Sequence, residues 1–157
     1  MNPEKKEKRY QRLYIQVKDL IEKSSNNPFS NMSTALAVLH HKMDYFFWTG
    51  FYLLQNDRLQ VGPYQGALAC IDLKKNTGVC WSAINKNETI IVPDVHNFPG
   101  HIACDSRSRS EIVVPLRNKE NKIVGVLDVD SSTLDSFDYT DARWLEKFVG
   151  LVYEQGF

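Results

Sequence analysis

The sequence predicts an α+β fold in which a central antiparallel sheet is flanked by helices. Two helical segments come first and a third ends the chain, each with apolar residues recurring every three or four positions. Between them lie short segments rich in aromatic and β-branched residues, the composition favoured in sheets. This order of elements indicates strands paired in one sheet with helices packed on it.

Three amphipathic segments justify the helices. The first ends near Ser24, where a polar stretch leads to Pro28, and its charged run at positions 4–9 is expected to be solvated. Asn31 or Ser33 is the predicted N-cap of the second helix, and the last helix is predicted to start at Asp138 or Thr140. The apolar stripe of the first helix consists of Tyr10, Leu13, Tyr14, Val17, Leu20 and Ile21.

Five short segments justify the sheet. The strongest are 45–54, 110–116 and 122–131, the last two surrounding a turn at 118–121. Segments 59–64 and 89–92 are weaker candidates, and 66–71 is ambiguous. Residues 79–84 are expected to form a helical turn, and 98–109 a loop.

Length, charge and termini narrow the possible functions. The 157 residues fit a single domain over 1–157, with a helical N-terminal segment of about thirty residues. The formal net charge is zero, so no nucleic-acid partner is expected. No stretch approaches the ~20 apolar residues of a membrane span, and no secretory signal is recognisable. We therefore expect a cytoplasmic protein.

The three cysteines are Cys70, Cys80 and Cys104. A reducing cytosol makes a structural disulfide framework improbable, which leaves buried apolar cysteines, metal ligands or redox thiols. A zinc site would need all three plus His101, but their spacings lack the short C-x2–4-C knuckle. Cys104 differs from the others because it lies in a polar loop with His101 and two arginines, Arg107 and Arg109, which favour a thiolate, whereas the adjacent Asp105 opposes it.

An aromatic pair marks the first strand. Side chains alternate faces along a strand, so Trp48, Gly50 and Tyr52 share one side. A glycine within a strand often marks the close approach of a ligand. The pattern therefore fits either a slot with two aromatic walls or ordinary core packing.

An acidic group marks the last two strands. Asp128 and Asp130 lie on one face, roughly 7 Å apart along the strand. If the turn is a two-residue hairpin loop at 119–120, Glu111 lies directly opposite Asp128. Like charges in that position destabilise a sheet, so the pattern favours a ligand-binding or proton-donating function. The alternatives are metal binding and a solvent-facing strand end.

Several stretches together resemble the free methionine-R-sulfoxide reductases, which are single GAF-domain enzymes. They are the three cysteines, Trp-Thr-Gly-Phe-Tyr at 48–52, Phe-Pro-Gly-His-Ile-Ala-Cys-Asp at 98–105, Ser-Glu-Ile-Val-Val-Pro-Leu at 110–116 and Gly-Val-Leu-Asp-Val-Asp-Ser at 125–131. The similarity covers roughly residues 33–152. The combination is specific, whereas Pro-Leu followed by a Gly-Val-Leu-Asp strand would indicate only a GAF domain.

The resemblance implies thiol chemistry on the R-epimer of free L-methionine sulfoxide. Cys104 matches the attacking thiol, which becomes a sulfenic acid. Cys70 matches the main resolving thiol, which closes a disulfide with Cys104, and Cys80 matches a third cysteine that also takes part in disulfides. A thioredoxin-like dithiol then restores the thiols.

The resemblance also implies how the substrate is held. Trp48 and Tyr52 match the aromatic residues around the substrate methyl group. Glu111, Asp128 and Asp130 match the acids that hold the sulfoxide oxygen and the amino group. No metal or bound cofactor is implied, and the family suggests a homodimer. The main alternative is a GAF-type sensor that binds a small ligand without turnover.

Overall fold

The computed structural model describes residues 1–24, 26–101 and 104–153. Ser25, within the predicted helix break, and Ile102 and Ala103, within the predicted 98–109 loop, lie outside the described residues. The helices are α1 (Pro3–Glu22), α2 (Pro28–Lys42), α3 (Gly78–Lys86) and α4 (Tyr139–Gly150). The strands are β1 (Trp48–Gln55), β2 (Arg58–Gln65), β3 (Asp72–Leu73), β4 (Ile90–Val92), β5 (Ser110–Arg117) and β6 (Ile123–Ser131).

The described strands form one six-stranded sheet in the order β3-β2-β1-β6-β5-β4. Every neighbouring pair is antiparallel. The long strands β1, β6 and β5 are neighbours in the middle of the sheet. Their side chains alternate between its two covered faces. The predicted α+β fold with an antiparallel sheet is confirmed.

The two faces of the sheet pack against different partners. On one face, Phe51, Leu127 and Val129 join a large core with α1, α2 and α4. On the opposite face, Val113 and Val126 join a smaller core that α3 covers. Because side chains alternate along a strand, residues an even number of positions from Val113 or Val126 on the same strand also lie on this second face. The predicted site residues of β1, β5 and β6 therefore all lie under α3.

The second helix begins earlier than predicted. Its N-cap is Asn27, whose side chain accepts hydrogen bonds from the amides of Phe29 and Ser30, and Pro28 occupies the first helical turn. Proline suits this position because its missing N–H would be unpaired there anyway. The prediction of Asn31 or Ser33 is wrong, and the Asn31 side chain instead donates to the carbonyl of Val152.

The charged start of α1 is not uniformly solvated. Lys6 is only 3% exposed, and its ammonium contacts Asp141 at 2.5 Å and Asp138 at 3.1 Å. These two acids form the N-terminal capping box of α4, which confirms the predicted start at Asp138. The contacts attach α1 to α4, so the expectation of a solvated run is wrong for Lys6. Among the described residues, no helix is long and apolar enough to cross a membrane.

The segment after β3 is a full helix rather than a single turn. α3 covers nine residues and ends at Asn87, which adopts a left-handed conformation with φ of 58°. Asparagine tolerates this conformation better than most residues, so it ends a helix well. The helix buries Val79, Cys80 and Trp81 against the sheet.

Candidate active site

A cavity opens on the α3 side of the sheet, near the chain segments at 66–71 and 98–109. Its empty volume, counted together with the open solvent at the mouth, is about 620 Å³. Its wall contains seven of the eight predicted site residues: Trp48, Tyr52, Cys80, Cys104, Glu111, Asp128 and Asp130. The eighth, Cys70, is covalently attached to the wall.

A disulfide joins Cys70 to Cys104, with 5.6 Å between their Cα atoms. Cys104 is exposed at the cavity mouth, whereas Cys70 is partly buried. Cys80 remains a free thiol and is buried on α3. Burial and the nearby Asp128 carboxyl raise the pKa of Cys80 well above its ordinary value, so it stays a neutral thiol at neutral pH. The three cysteines thus form one linked pair and one shielded thiol.

The disulfide occupies two of the four ligands that the disfavoured zinc alternative would need, so this ligand set is not available. A different group, formed by Cys80, Glu111 and Asp128, has donor atoms within 4.8 Å of one another. These groups are better described by their proton chemistry, because burial favours their neutral forms.

The three acids meet on one face, but with a different pairing from the one predicted. Glu111 lies opposite Asp130, and Asp128 lies opposite Val113. The assumed two-residue loop is wrong, because the amide of Asn118 donates to the carbonyl of Lys122 across a longer turn. The register is displaced by two residues, which preserves the face and keeps the acids together.

These acids lie in the cavity without a basic partner. Glu111 and Asp128 are buried, Asp130 is partly exposed, and among the described residues no lysine or arginine nitrogen lies within 4 Å of their carboxyl oxygens. Asp128 Oδ1 is buried with no hydrogen-bond partner. A buried acceptor without a donor is costly, so this oxygen is suited to a ligand that brings a donor.

Because no described lysine or arginine contacts the three acids, burial and mutual repulsion determine which of them hold protons. Burial and repulsion from Asp128 raise the pKa values of Glu111 and Asp130 well above the ordinary range. Burial raises the pKa of Asp128 only to about 6, because the neighbouring Glu111 and Cys80 groups oppose the increase. As pH rises, Asp128 is therefore the first of the three to ionise. The site combines one carboxylate with two carboxylic acids.

The aromatic residues form a wall of the cavity and hold the Cys70 segment. Trp48 stacks on Tyr52 with 5.8 Å between ring centroids and on Tyr64 with 5.3 Å. The Trp48 indole N–H donates to Ala67, and the Tyr52 hydroxyl donates to the carbonyl of Cys70. These bonds fix the segment that presents Cys70.

The room above Gly50 is filled by the protein itself. A Cβ placed there would lie 2.4 Å from the Trp48 ring and 2.5 Å from Tyr64 Cβ. At Gly50 itself, the structure therefore favours the core-packing alternative over the close approach of a ligand. The glycine is needed so that the Trp48 ring can lie across its own strand.

The charged groups predicted near Cys104 separate into two sets. The Arg107 guanidinium makes two hydrogen bonds to Asp105, at 2.7 and 3.0 Å, and this pairing lowers the pKa of Asp105 to about 2. Asp105 therefore balances the charge of Arg107, which leaves Arg107 little electrostatic effect on the Cys104 thiol. His101 lines the cavity instead, with Nδ1 3.9 Å from Glu111 Oε2. Burial lowers the pKa of His101, so its imidazole is neutral at neutral pH.

Several other side chains at the site were not predicted from the sequence, and Leu68 and Tyr64 are two of them. Leu68 lines the cavity, and Tyr64 supports Trp48. Gly-Pro at positions 62 and 63 weakens the strand pattern around Tyr64, and the segment with Leu68 has no clear period. Only the position of Leu68 two residues before Cys70 provided a signal.

The comparisons with known proteins agree with this geometry. The GAF domain family profile matches residues 32–152. GAF domain-containing protein A of Dictyostelium discoideum is 45% identical over 94% of this chain and 92% of its own length. The free methionine-R-sulfoxide reductase of Escherichia coli is 42% identical over 76% of this chain and 72% of its own length.

A solved structure extends the likeness to three dimensions. The X-ray structure of the free methionine-R-sulfoxide reductase of Neisseria meningitidis, in complex with its substrate, superposes with a TM-score of 0.86. The two chains are 39% identical, and the match covers 92% of this chain and 86% of that one. This chain therefore belongs to the free methionine-R-sulfoxide reductase family of GAF-domain proteins.

Proposed function

We propose that this chain is a thiol-dependent oxidoreductase that reduces the R-sulfoxide of free L-methionine to methionine. The observation that carries the proposal is a bonded cysteine pair beside carboxyl groups that hold protons, Glu111 and Asp130. Reduction of a sulfoxide by thiols needs both a thiol pair and a proton donor. The E. coli and Neisseria relatives are named for this activity.

The chemical step begins at Cys104, the exposed member of the pair. Its thiolate forms a bond to the sulfoxide sulfur, and the oxygen accepts a proton. The oxygen is transferred to the cysteine, methionine leaves, and Cys104 becomes a sulfenic acid. The sulfoxide gains the two electrons that the thiol loses. Glu111 or Asp130 supplies the proton as a general acid.

The third acid, Asp128, binds the amino group of the substrate. Asp128 ionises before its neighbours, and its Oδ1 lacks a donor. A substrate ammonium group provides both the positive charge and the N–H that this oxygen needs. Trp48 and Tyr52 form the apolar wall against which the methyl group on sulfur packs.

The second thiol closes the cycle. Cys70 attacks the Cys104 sulfenic acid, water leaves, and the observed disulfide results. Cys80 is a poorer candidate for this step because its raised pKa keeps it a thiol, and a thiolate is the attacking species. We therefore assign Cys70 as the resolving cysteine and Cys80 an auxiliary function.

An external dithiol must return electrons to the disulfide. A thioredoxin-like protein is the proposed reductant, because two apolar side chains are exposed on either side of Cys70. Leu68 is 86% exposed and Ile71 is 69% exposed. Apolar groups that face water beside a reactive bond suit contact with another protein. The chain is further proposed to act as a single domain, as a homodimer and in the cytoplasm.

The first test replaces the attacking thiol. Cys104→Ser should abolish methionine release from free methionine-R-sulfoxide, measured by amino-acid analysis with dithiothreitol as reductant. Ser106→Ala, an exposed position in the same loop, is the matched control and should keep full activity. Full activity in Cys104→Ser would contradict the proposed mechanism, whereas an unsubstituted protein that releases no methionine would leave a ligand-binding sensor as the better interpretation.

The second test separates the two thiols. Cys70→Ser should slow steady-state turnover with thioredoxin more than it slows a single stoichiometric turnover, because only resolution needs Cys70. Cys80→Ser provides the comparison and should affect both less. Equal losses in both assays would exclude Cys70 as the resolving thiol. Repeating the assay with both epimers, free and peptide-bound, tests the substrate assignment.

A further inference from the structure

His101 occupies a position that the proposed reaction has not yet used. Its ring lines the cavity together with Glu111 and Cys104. Its Nδ1 lies 3.9 Å from Glu111 Oε2, and 16% of its side chain is exposed while Glu111 is almost fully buried. Among the described residues, His101 thus links the mouth of the cavity to the buried acid.

The reaction creates a need for proton movement at this point. The thiols lose protons when they attack, and the sulfoxide oxygen gains two as it becomes water. An acid that gives its proton to this oxygen must regain one before the next cycle. Glu111 is enclosed by other acids and by apolar walls, so it needs a group that connects it to solvent.

A neutral imidazole is suited to this exchange. It has one donor and one acceptor nitrogen, so it can accept a proton on one side and release one on the other. The 3.9 Å separation is longer than a hydrogen bond and is closed by a small ring rotation or by one bridging water. Burial keeps the ring uncharged, because it lowers the pKa of His101.

The groups around His101 come from every element that forms this part of the cavity. The β5 residue is Glu111, whose Oε2 lies 3.9 Å from Nδ1 of His101. The 3-10 turn at Val95–Asn97 contributes His96, which is exposed and bonded to Asp94. The other titratable groups that share the cavity are Cys80, Cys104, Asp105, Asp128 and Asp130.

We propose that His101 relays protons between solvent and the Glu111 carboxyl during sulfoxide reduction. It acts through Glu111 and not on the sulfoxide itself, and is therefore a positioning residue for the proton donor. The inference rests on the proposed function, and it gives His101 a role different from the two that the sequence suggested, an effect on Cys104 and zinc ligation.

The test is a pH series of steady-state turnover with saturating dithiothreitol, because only repeated cycles require Glu111 to regain its proton. His101→Asn should release methionine at least about tenfold more slowly than the unsubstituted protein at pH 8, because a general acid–base group contributes about 10²–10⁴-fold. The deficit should shrink toward pH 6, where solvent supplies protons readily, and added imidazole should restore part of the rate. His101→Gln provides a second variant of different shape.

His96→Asn is the matched control, because it removes a neighbouring exposed histidine that does not line the cavity. It should leave the rate and the pH profile unchanged. A His101→Asn deficit that is constant with pH and unaffected by imidazole would overturn the relay in favour of a packing function, as would an unchanged rate. If the unsubstituted protein releases no methionine, the proposed function fails and the relay fails with it.

Discussion

Two buried polar clusters lie on opposite sides of the same sheet and differ in how their charges are matched. The Lys6 cluster, formed by Lys6, Tyr10, Tyr45, Asp138 and Asp141, joins α1 to α4. Asp141 Oδ1 accepts hydrogen bonds from both tyrosines, and Oδ2 accepts from the Lys6 ammonium and the Asp138 amide. Within the described part of the chain, the acid cluster of Glu111, Asp128 and Asp130 has no lysine or arginine partner and contains an oxygen without a donor.

The difference shows how burial can produce either stability or reactivity. When a buried carboxylate has a cation and several donors, these contacts fix two helices together. When buried carboxyls have only each other, their pKa values rise and they keep protons that a reaction can use. Four predictions test this contrast, in order of decreasing effect.

The largest effect is expected from removing the cation of the Lys6 cluster. Lys6→Met leaves Asp141 buried without its counter-charge and should lower the free energy of unfolding by about 3–5 kcal/mol. Urea titration followed by tryptophan fluorescence measures this change. Lys8→Met is the matched control, because Lys8 is 77% exposed and pairs only with exposed Glu4, and its change should stay below about 1 kcal/mol. Equal effects would remove the distinction between the clusters.

The acid cluster should respond in the opposite way. Glu111→Gln should reduce kcat/KM at least about tenfold, or ~1.4 kcal/mol in transition-state binding, but should not lower stability at pH 7.5. The unfolded chain gives up this proton near its ordinary pKa of 4.5, whereas the folded chain retains it. The wild-type protein therefore loses stability as pH rises above that value, and glutamine removes this loss.

Exposed Glu120 in the β5–β6 turn provides the control for this prediction. Glu120→Gln should change neither kcat/KM nor stability. A marked loss of stability in Glu111→Gln would place Glu111 with the structural acids such as Asp141.

The third prediction concerns pH. The pKa of Asp128 is about 6, so below pH 6 its carboxyl becomes neutral and loses its attraction for the substrate ammonium. The kcat/KM value should fall by up to about tenfold per pH unit below 6, and Asp128→Asn should lower activity at neutral pH while removing this limb. Asp44→Asn, at an exposed position, should keep the limb. A wild-type profile without a transition between pH 5 and 7 would contradict the assignment.

The smallest effect is expected at the surface beside the disulfide. Ile71→Ser, which does not alter the cavity wall, should raise the KM for thioredoxin several-fold at most, because one exposed apolar side chain contributes only about 1 kcal/mol or less to most interfaces. The rate with dithiothreitol should stay within about twofold, which separates reductant contact from catalysis. Leu134→Ser, also exposed, is the control. An unchanged KM would place the reductant elsewhere.

Much of the site could be predicted because strand alternation depends only on sequence parity. Asp128 and Asp130 share a face whatever the register, and a displacement of two residues kept Glu111 on that face. The exact partner of Glu111 depended on the turn, and the positive φ of Asn121 within that turn is not evident from sequence alone. Periodicity alone therefore cannot predict which residues pair across a hairpin, because that pairing depends on the length of the turn.

Long-range contacts were the other limit. Nothing near Lys6 in the sequence shows that Asp138 and Asp141 approach it from more than 130 positions away. His101 and Glu111 likewise meet only because the sheet brings the end of one loop to the strand. Local patterns predict which faces are apolar, but a buried charge is explained only by a partner that the fold supplies.

The Cys70–Cys104 bond has one more consequence, because it closes a ring of chain that contains α3 and β4. For a sequence separation of 34, restricting the unfolded chain stabilises the bonded form by roughly 3–5 kcal/mol in the chain-entropy model. If the cycle runs as proposed, each turnover alternates the protein between a sturdier and a weaker form. The protein would then resist proteases more strongly after it has reduced a sulfoxide, and less strongly once its reductant has opened the disulfide.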